Sequence, residues 1–150
     1  MRVVIQRVSS ASVTIDGVIK SAIERGFLIL LGVETEDTKE DAEWLCGKIS
    51  QLRVFSDDAG LMNLDINSIV GDVIVVSQFT LHAMTKKGNR PSFIKAARPD
   101  QAIPLYEYFV ATLQSKISGK VLTGQFGADM KVALVNDGPV TITMDTKNKE

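Results

Sequence analysis

Two stretches of this chain, Phe27 to Val33 and Val73 to Leu81, open as apolar runs without the polar alternation of a strand that has one face in water. Runs of that length and kind read as central strands buried on both faces, so whatever surrounds them must shield both sides of a sheet. Two helices are legible as part of that cover. Thr38 with Asp41 three residues on resembles a capping box, and Ala42, Leu45, Ile49 and Leu52 then recur at helical spacing, which predicts a helix over 38–52. Trp44 and Cys46 lie off the centre of that stripe and read as packing residues. Pro99 and Pro104 bracket the expected start of a second helix, Leu105, Phe109, Leu113 and Ile117 repeat along it, and Gly119 is its expected left-handed cap.

The remaining pattern is strand. Residues 2–8 place Val3, Ile5 and Arg7 on one face and Val4 and Val8 on the other. An arginine on an apolar face is either a strand-end residue reaching for solvent or a charge aimed at a site. Asp16-Gly17 between Val13-Thr14-Ile15 and Val18-Ile19 predicts a tight hairpin over 11–24. A short strand is expected at Arg53-Val54-Phe55, then a plain turn at Ser56 to Gly60, which lacks the spaced oxygen ligands of a calcium loop. Lys120 to Phe126, Met130 to Asn136 and Val140 to Asp145 supply three more strands. Together these predict an α/β fold in one domain, 1–150: a mixed, mostly antiparallel curved sheet with two principal helices packed on it.

Composition narrows the function. With 45% apolar and 23% charged residues the chain matches ordinary globular usage, and its longest apolar run is too short to span a bilayer. No signal-peptide layout precedes the first strand, so a cytosolic protein without membrane association is expected. A net charge of −1 excludes a bulk basic surface, which confines any RNA contact to a local patch. One cysteine and one histidine suit neither a disulfide nor a zinc site, and no phosphate loop, dinucleotide fingerprint or nucleophile elbow occurs; no metal and no cofactor are expected.

Three places remain for chemistry. Ser77, Gln78 and Thr80 stand at the end of a buried strand, where an open sheet presents side chains and N–H groups to a crevice, although polar residues also simply cap strand ends. His82 would share a face with Thr80 only if extended geometry continued through both. Asn136-Asp137-Gly138-Pro139 joins two expected strands; a bond before proline adopts the cis form far more readily than any other, yet the same residues suit any tight turn. Lys86, Lys87, Arg90, Lys95 and Arg98 crowd around Gly88 and Pro91, either as solvated charge or as a clamp for phosphates.

Taken together, Ser77-Gln78-Phe79-Thr80-Leu81 and Asn136-Asp137-Gly138-Pro139-Val140 resemble the two hallmark motifs of the D-aminoacyl-tRNA deacylase family. The likeness extends over nearly the whole chain, through Ile5-Gln6-Arg7-Val8, Leu31-Gly32-Val33, Phe55-Ser56-Asp57, Met62-Asn63-Leu64, Arg90-Pro91-Ser92-Phe93 and Phe126-Gly127-Ala128-Asp129-Met130. The resemblance implies hydrolysis of the ester that joins a D-amino acid, or glycine, to the 3′-terminal adenosine of tRNA, with L-aminoacyl-tRNA spared. It also implies a homodimer in which Gly138-Pro139, with its bond cis, enters the partner's site, while Ser77, Gln78, Phe79 and Thr80 line the pocket. Thr80 has been regarded in that family as a nucleophile; without a committed base it suits positioning better, and the ribose 2′-hydroxyl is an alternative helper. Arg7 is the candidate brace of the Gly-Pro turn, Met130 a candidate pocket wall, and Lys86, Lys87 and Arg90 candidate tRNA phosphate contacts.

Overall fold

Strand β1 (Arg2–Ile15) is the axis of the computed structural model, which describes residues 1–150. Along one edge it pairs with β2 (Val18–Ile23) and β3 (Gly26–Gly32). These two lie in one line, since Ala11 opposite Ile23 and Val8 opposite Gly26 keep a common register. The expected hairpin is present, and its Asp16 and Gly17 take φ values of 51° and 76°, the left-handed pair that a two-residue turn of matching twist requires. Along the other edge runs β8 (Lys131–Asp145), antiparallel to β1.

Beyond β3 the sheet turns parallel: β6 (Asp72–Ser77) pairs with β3, and β7 (Val121–Thr123) with β6. Parallel neighbours need long crossovers. The first holds α1 (Lys39–Ser50) and a small hairpin of β4 (Phe55–Ser56) and β5 (Met62–Leu64); the second holds α2 (Pro99–Lys116). Both helices cover the same face, where Leu45, Ile49, Phe109 and Leu113 join Val3, Ile5, Phe27 and Val75 in the main core. On the other face Val8, Leu28, Ile74 and Val76 form a second core, which the sheet covers by curling so that Leu122, Val132 and Leu134 pack against them. The fold is therefore α/β, with two helices on a mostly antiparallel, nearly closed curved sheet. The two apolar runs are buried on both faces by different means, helices on one side and the sheet itself on the other. No helix is long and apolar enough to cross a membrane.

The capping box at Thr38 is formed, with the Thr38 N–H donating to Asp41 Oδ2 at 2.8 Å. Burial opposes ionisation of Asp41, but hydrogen bonds from Thr146, Thr38 and Lys147 outweigh it and bring the carboxyl down to about 2. Cys46 is fully buried, and burial pushes its thiol up to about 12, consistent with a packing residue.

Several expectations fail for local reasons. Pro104 lies inside α2 rather than at its start; it is exposed, so the carbonyl of Asp100, deprived of a partner, belongs to the wet side of the helix. The buried stripe of that helix includes Ala102 and Tyr106, whereas Leu105 is only partly covered. Gly119 is not a left-handed cap: the helix ends at Ile117 in extended backbone, and Gly119 is small because a Cβ there would lie 2.0 Å from the Gly71 carbonyl oxygen. The strand expected at Arg53 starts at Phe55, and the one expected over 120–126 is confined to Val121–Thr123. Two larger departures concern the site.

Candidate active site

The strand expected to reach Leu81 stops at Ser77. The parallel ladder ends with Leu31 opposite Ser77, and the Gln78 N–H still donates to the Leu31 carbonyl at 2.7 Å. The chain then winds into a 3-10 turn, Phe79–His82, closed by Leu81 N–H to Gln78 O at 3.2 Å and Ala83 N–H to Thr80 O at 3.1 Å. Gly32 permits this tight seat, because a Cβ there would come within 3.0 Å of Gln78 O, Leu81 Cβ and His82 Cδ2. Within the turn, the N–H groups of Phe79 and Thr80 donate to no backbone carbonyl.

The turn separates Thr80 from His82. Thr80 is exposed and its Oγ1 accepts a hydrogen bond from Gln78 Nε2 at 2.5 Å. His82 turns inward, 2% exposed, with Nδ1 3.5 Å from Glu34 Oε2. Extended geometry does not continue, so the two residues form no catalytic pair.

Ser77, Gln78 and Phe79 line a mostly apolar cleft of about 940 Å³, with Met130 also on its wall. Phe79 is 53% exposed and meets Phe93 edge to face at a ring separation of 5.1 Å. Met130 is seated where Gly124 leaves room; a Cβ at Gly124 would lie 2.3 Å from its sulfur. Tyr106 lies behind, its hydroxyl donating to the Val75 carbonyl at 2.7 Å, and burial pushes its phenol up to about 12. Its hydroxyl is engaged by that carbonyl, and its ring contributes to the wall of the cleft. Phe93 and Tyr106 were missed as pocket residues by sequence reasoning; the spacing of Tyr106 to Phe109 and Leu113, three and seven residues on, is the signal that places it on the buried stripe.

The second departure lies on β8. Asn136 to Pro139 do not join two strands; a single strand runs from Lys131 to Asp145 with a bulge in it. Gln6 faces Thr141 and Val8 faces Asn136, so Asp137, Gly138, Pro139 and Val140 together oppose the one residue Arg7. The Gly138-Pro139 bond is cis and Gly138 has φ 124°, a conformation that L side chains rarely adopt. Arg7, only 8% exposed, holds the bulge: Nε donates to the Asp137 carbonyl at 2.9 Å and Nη1 to the Val54 carbonyl at 2.5 Å, with Asp137 Oδ2 at 3.7 Å. The buried charge is thus compensated by two carbonyls and a nearby carboxylate.

One chain does not bring all the expected residues together. Gly138, Pro139, Arg7 and Thr80 do not line the cleft that holds Ser77, Gln78, Phe79 and Met130. Lys86, Lys87 and Arg90 also lie outside it, exposed on a loop that Met84 and Ser92 close with mutual backbone bonds of 2.8 and 3.0 Å. Arg98, at the start of α2, does reach the cleft. No group of three or more His, Cys, Asp or Glu side chains is placed to hold a metal ion.

The family model described as D-Tyr-tRNA(Tyr) deacylase matches residues 4–145. This chain belongs to the D-Tyr-tRNA(Tyr) deacylase family. It is 65% identical to the D-aminoacyl-tRNA deacylase of Phocaeicola vulgatus over 150 residues, with all of both chains covered. To the D-aminoacyl-tRNA deacylase of Flavobacterium johnsoniae it is 60% identical, again over the full length of both. Among solved structures it is similar to a c-Myc DNA Unwinding Element Binding Protein, with a TM-score of 0.92, 40% identity and coverage of 97% of this chain and 99% of that one. The match to the deacylase family takes in both the 3-10 turn after β6 and the bulge of β8.

Proposed function

We propose that this chain carries out the deacylase activity of its family, cleaving the ester of D-aminoacyl-tRNA, at a composite site completed by a second copy of itself. The cleft beside Ser77, Gln78 and Phe79 holds the aminoacyl ester; the Gly138-Pro139 bulge of the other copy rejects the L-stereoisomer. The observation that carries this reading is the bulge itself. Four residues are held out of the ladder by a buried arginine, with Gly138 and Pro139 exposed, yet neither residue faces the cleft of its own chain.

In this mechanism a water oxygen adds to the ester carbonyl carbon, and the oxyanion that develops lies against the N–H groups of Phe79 and Thr80, which no backbone carbonyl occupies. The bond to the ribose oxygen then breaks and the proton from water ends on that oxygen, leaving a free D-amino acid and tRNA. Gln78 donates to Thr80, so Thr80 acts by orientation rather than as a nucleophile with a base of its own. A pocket that takes many side chains cannot recognise each one, so selectivity falls to exclusion near Cα by fixed backbone groups. Glycine, without a Cβ, passes the same filter, which makes glycyl-tRNA a second substrate. Lys86, Lys87 and Arg90 contact tRNA phosphates from their loop.

The test is incubation with matched D-tyrosyl-tRNA and L-tyrosyl-tRNA. D-tyrosine alone is released; absence of D-specific release overturns the reading. A nucleic-acid-binding module, the reading that the name of the 40%-identical structure invites, would bind tRNA or DNA with no turnover.

A further inference from the structure

We propose that His82 and Glu34 form a brace beneath the 3-10 turn, which makes His82 a positioning residue for the backbone of Phe79 and Thr80. The turn has little else to hold it. Turn bonds from Leu81 and Ala83 close it, Phe79 and Thr80 are exposed, and Arg2 reaches it from outside through Nη1 to the Leu81 carbonyl at 2.9 Å. His82 is its single fully buried side chain, packed at Gly32 on the end of β3.

Neither ring nitrogen of His82 makes a hydrogen bond to a protein group. A buried polar atom left unpaired is costly, and an apolar side chain would fill the same space without that cost. The group that faces it is Glu34, whose carboxylate lies 3.5 Å from Nδ1. Glu34 is itself fixed, because its N–H donates to Asp37 Oδ2 at 2.7 Å and Asp37 binds the amino group of Met1 at 2.5 Å. At 3.5 Å the contact is one small shift from a hydrogen bond. Catalytic hydrogen bonds are often long in a free enzyme and tighten as the transition state is approached. The brace already ties the turn to Glu34 in the free protein through the 3.5 Å contact and tightens when the turn takes up the oxyanion, so it acts on kcat and leaves KM alone.

This inference rests on the turn being the ester-binding element, and its test separates the two. His82→Phe fills the space without a donor, His82→Gln keeps a donor towards Glu34, and Glu34→Gln removes the charge while keeping the shape. With D-tyrosyl-tRNA, His82→Phe and Glu34→Gln are each expected to lower kcat about tenfold at nearly constant KM, and His82→Gln to recover most of the loss. In the free protein, amide exchange at Leu81 and Ala83 is expected to rise by about tenfold in His82→Phe, a readout independent of activity. A His82→Phe protein with wild-type kcat, or with unchanged exchange at these amides, overturns the brace. A wild-type protein without D-specific release overturns the function instead, and leaves the exchange result to decide the brace.

Discussion

The two interruptions in the sheet are opposite in kind. At Gln78 strand β6 ends, and the chain leaves the ladder for a tight turn in which the Phe79 and Thr80 N–H groups donate to no backbone carbonyl. At Asp137 strand β8 does not end; it bows out for four residues and returns to the same partner. The first break is local, made by neighbours in sequence and by the space at Gly32. The second depends on Arg7, 130 residues earlier, whose guanidinium holds the bowed backbone. An ended strand can line a cleft of its own chain, whereas a bulge on an edge strand projects away from the sheet, so one chain offers a cleft and a separate bulge, which the proposed function makes pocket and filter.

The largest expected effect isolates the first break. Phe79→Pro removes one N–H from the turn and leaves the bulge untouched; the single-turnover rate on D-tyrosyl-tRNA should fall by about 10²–10³ with the D over L preference of the residual activity kept. A rate close to wild type would break the assignment of that N–H. Arg7→Met acts on the second break, stripping the Asp137 and Val54 carbonyls of their donor. Urea unfolding should show a loss of about 2–4 kcal/mol, together with a weakened stereochemical preference. If stability drops but L-tyrosyl-tRNA is still fully refused, Arg7 supports the fold and not the filter.

Thr80→Ala sharpens the comparison further. Orientation by Thr80 predicts a loss of about tenfold or less, while a nucleophile would cost about 10⁴ or more. The smallest effect belongs to the loop outside both breaks. Replacing Lys86, Lys87 and Arg90 by alanine should raise KM a few-fold, leave kcat unchanged and flatten the salt dependence of tRNA binding by about 0.7–0.9 in log–log slope for each phosphate no longer neutralised. An unchanged slope would remove that loop from the tRNA surface.

The same contrast explains what was legible in the sequence. Asp16-Gly17 and Thr38 with Asp41 carry their conformations in adjacent residues, and both form as expected. The two apolar runs are buried on both faces because that property, too, is local. Asn136 to Pro139 misled because turn residues have the same chemistry whether the chain reverses or bows and goes on; the deciding contact is with Arg7 on another strand. Arg7 was legible as an anomaly on an apolar face, but its partners at Val54 and Asp137 were not. Ser77 to Thr80 were found as a polar strand end, while the winding that turns Thr80 outward and His82 inward follows from packing on Gly32, which no periodicity records.

The division of the site between two copies is tested most directly by mixing two disabled chains. Phe79→Pro disables the ester-binding turn but keeps the bulge; Gly138→Val keeps the turn but adds a side chain to the bulge at φ 124°, which in a shared site would obstruct the partner's cleft and so abolish D-tyrosyl-tRNA hydrolysis. If the site is shared, exchange of subunits at equal amounts gives mixed dimers with one intact site each, and D-tyrosyl-tRNA hydrolysis with L-rejection should return to about a quarter of wild type. If each chain carries its whole site, the mixture stays as inactive as its components, and the composite site is wrong.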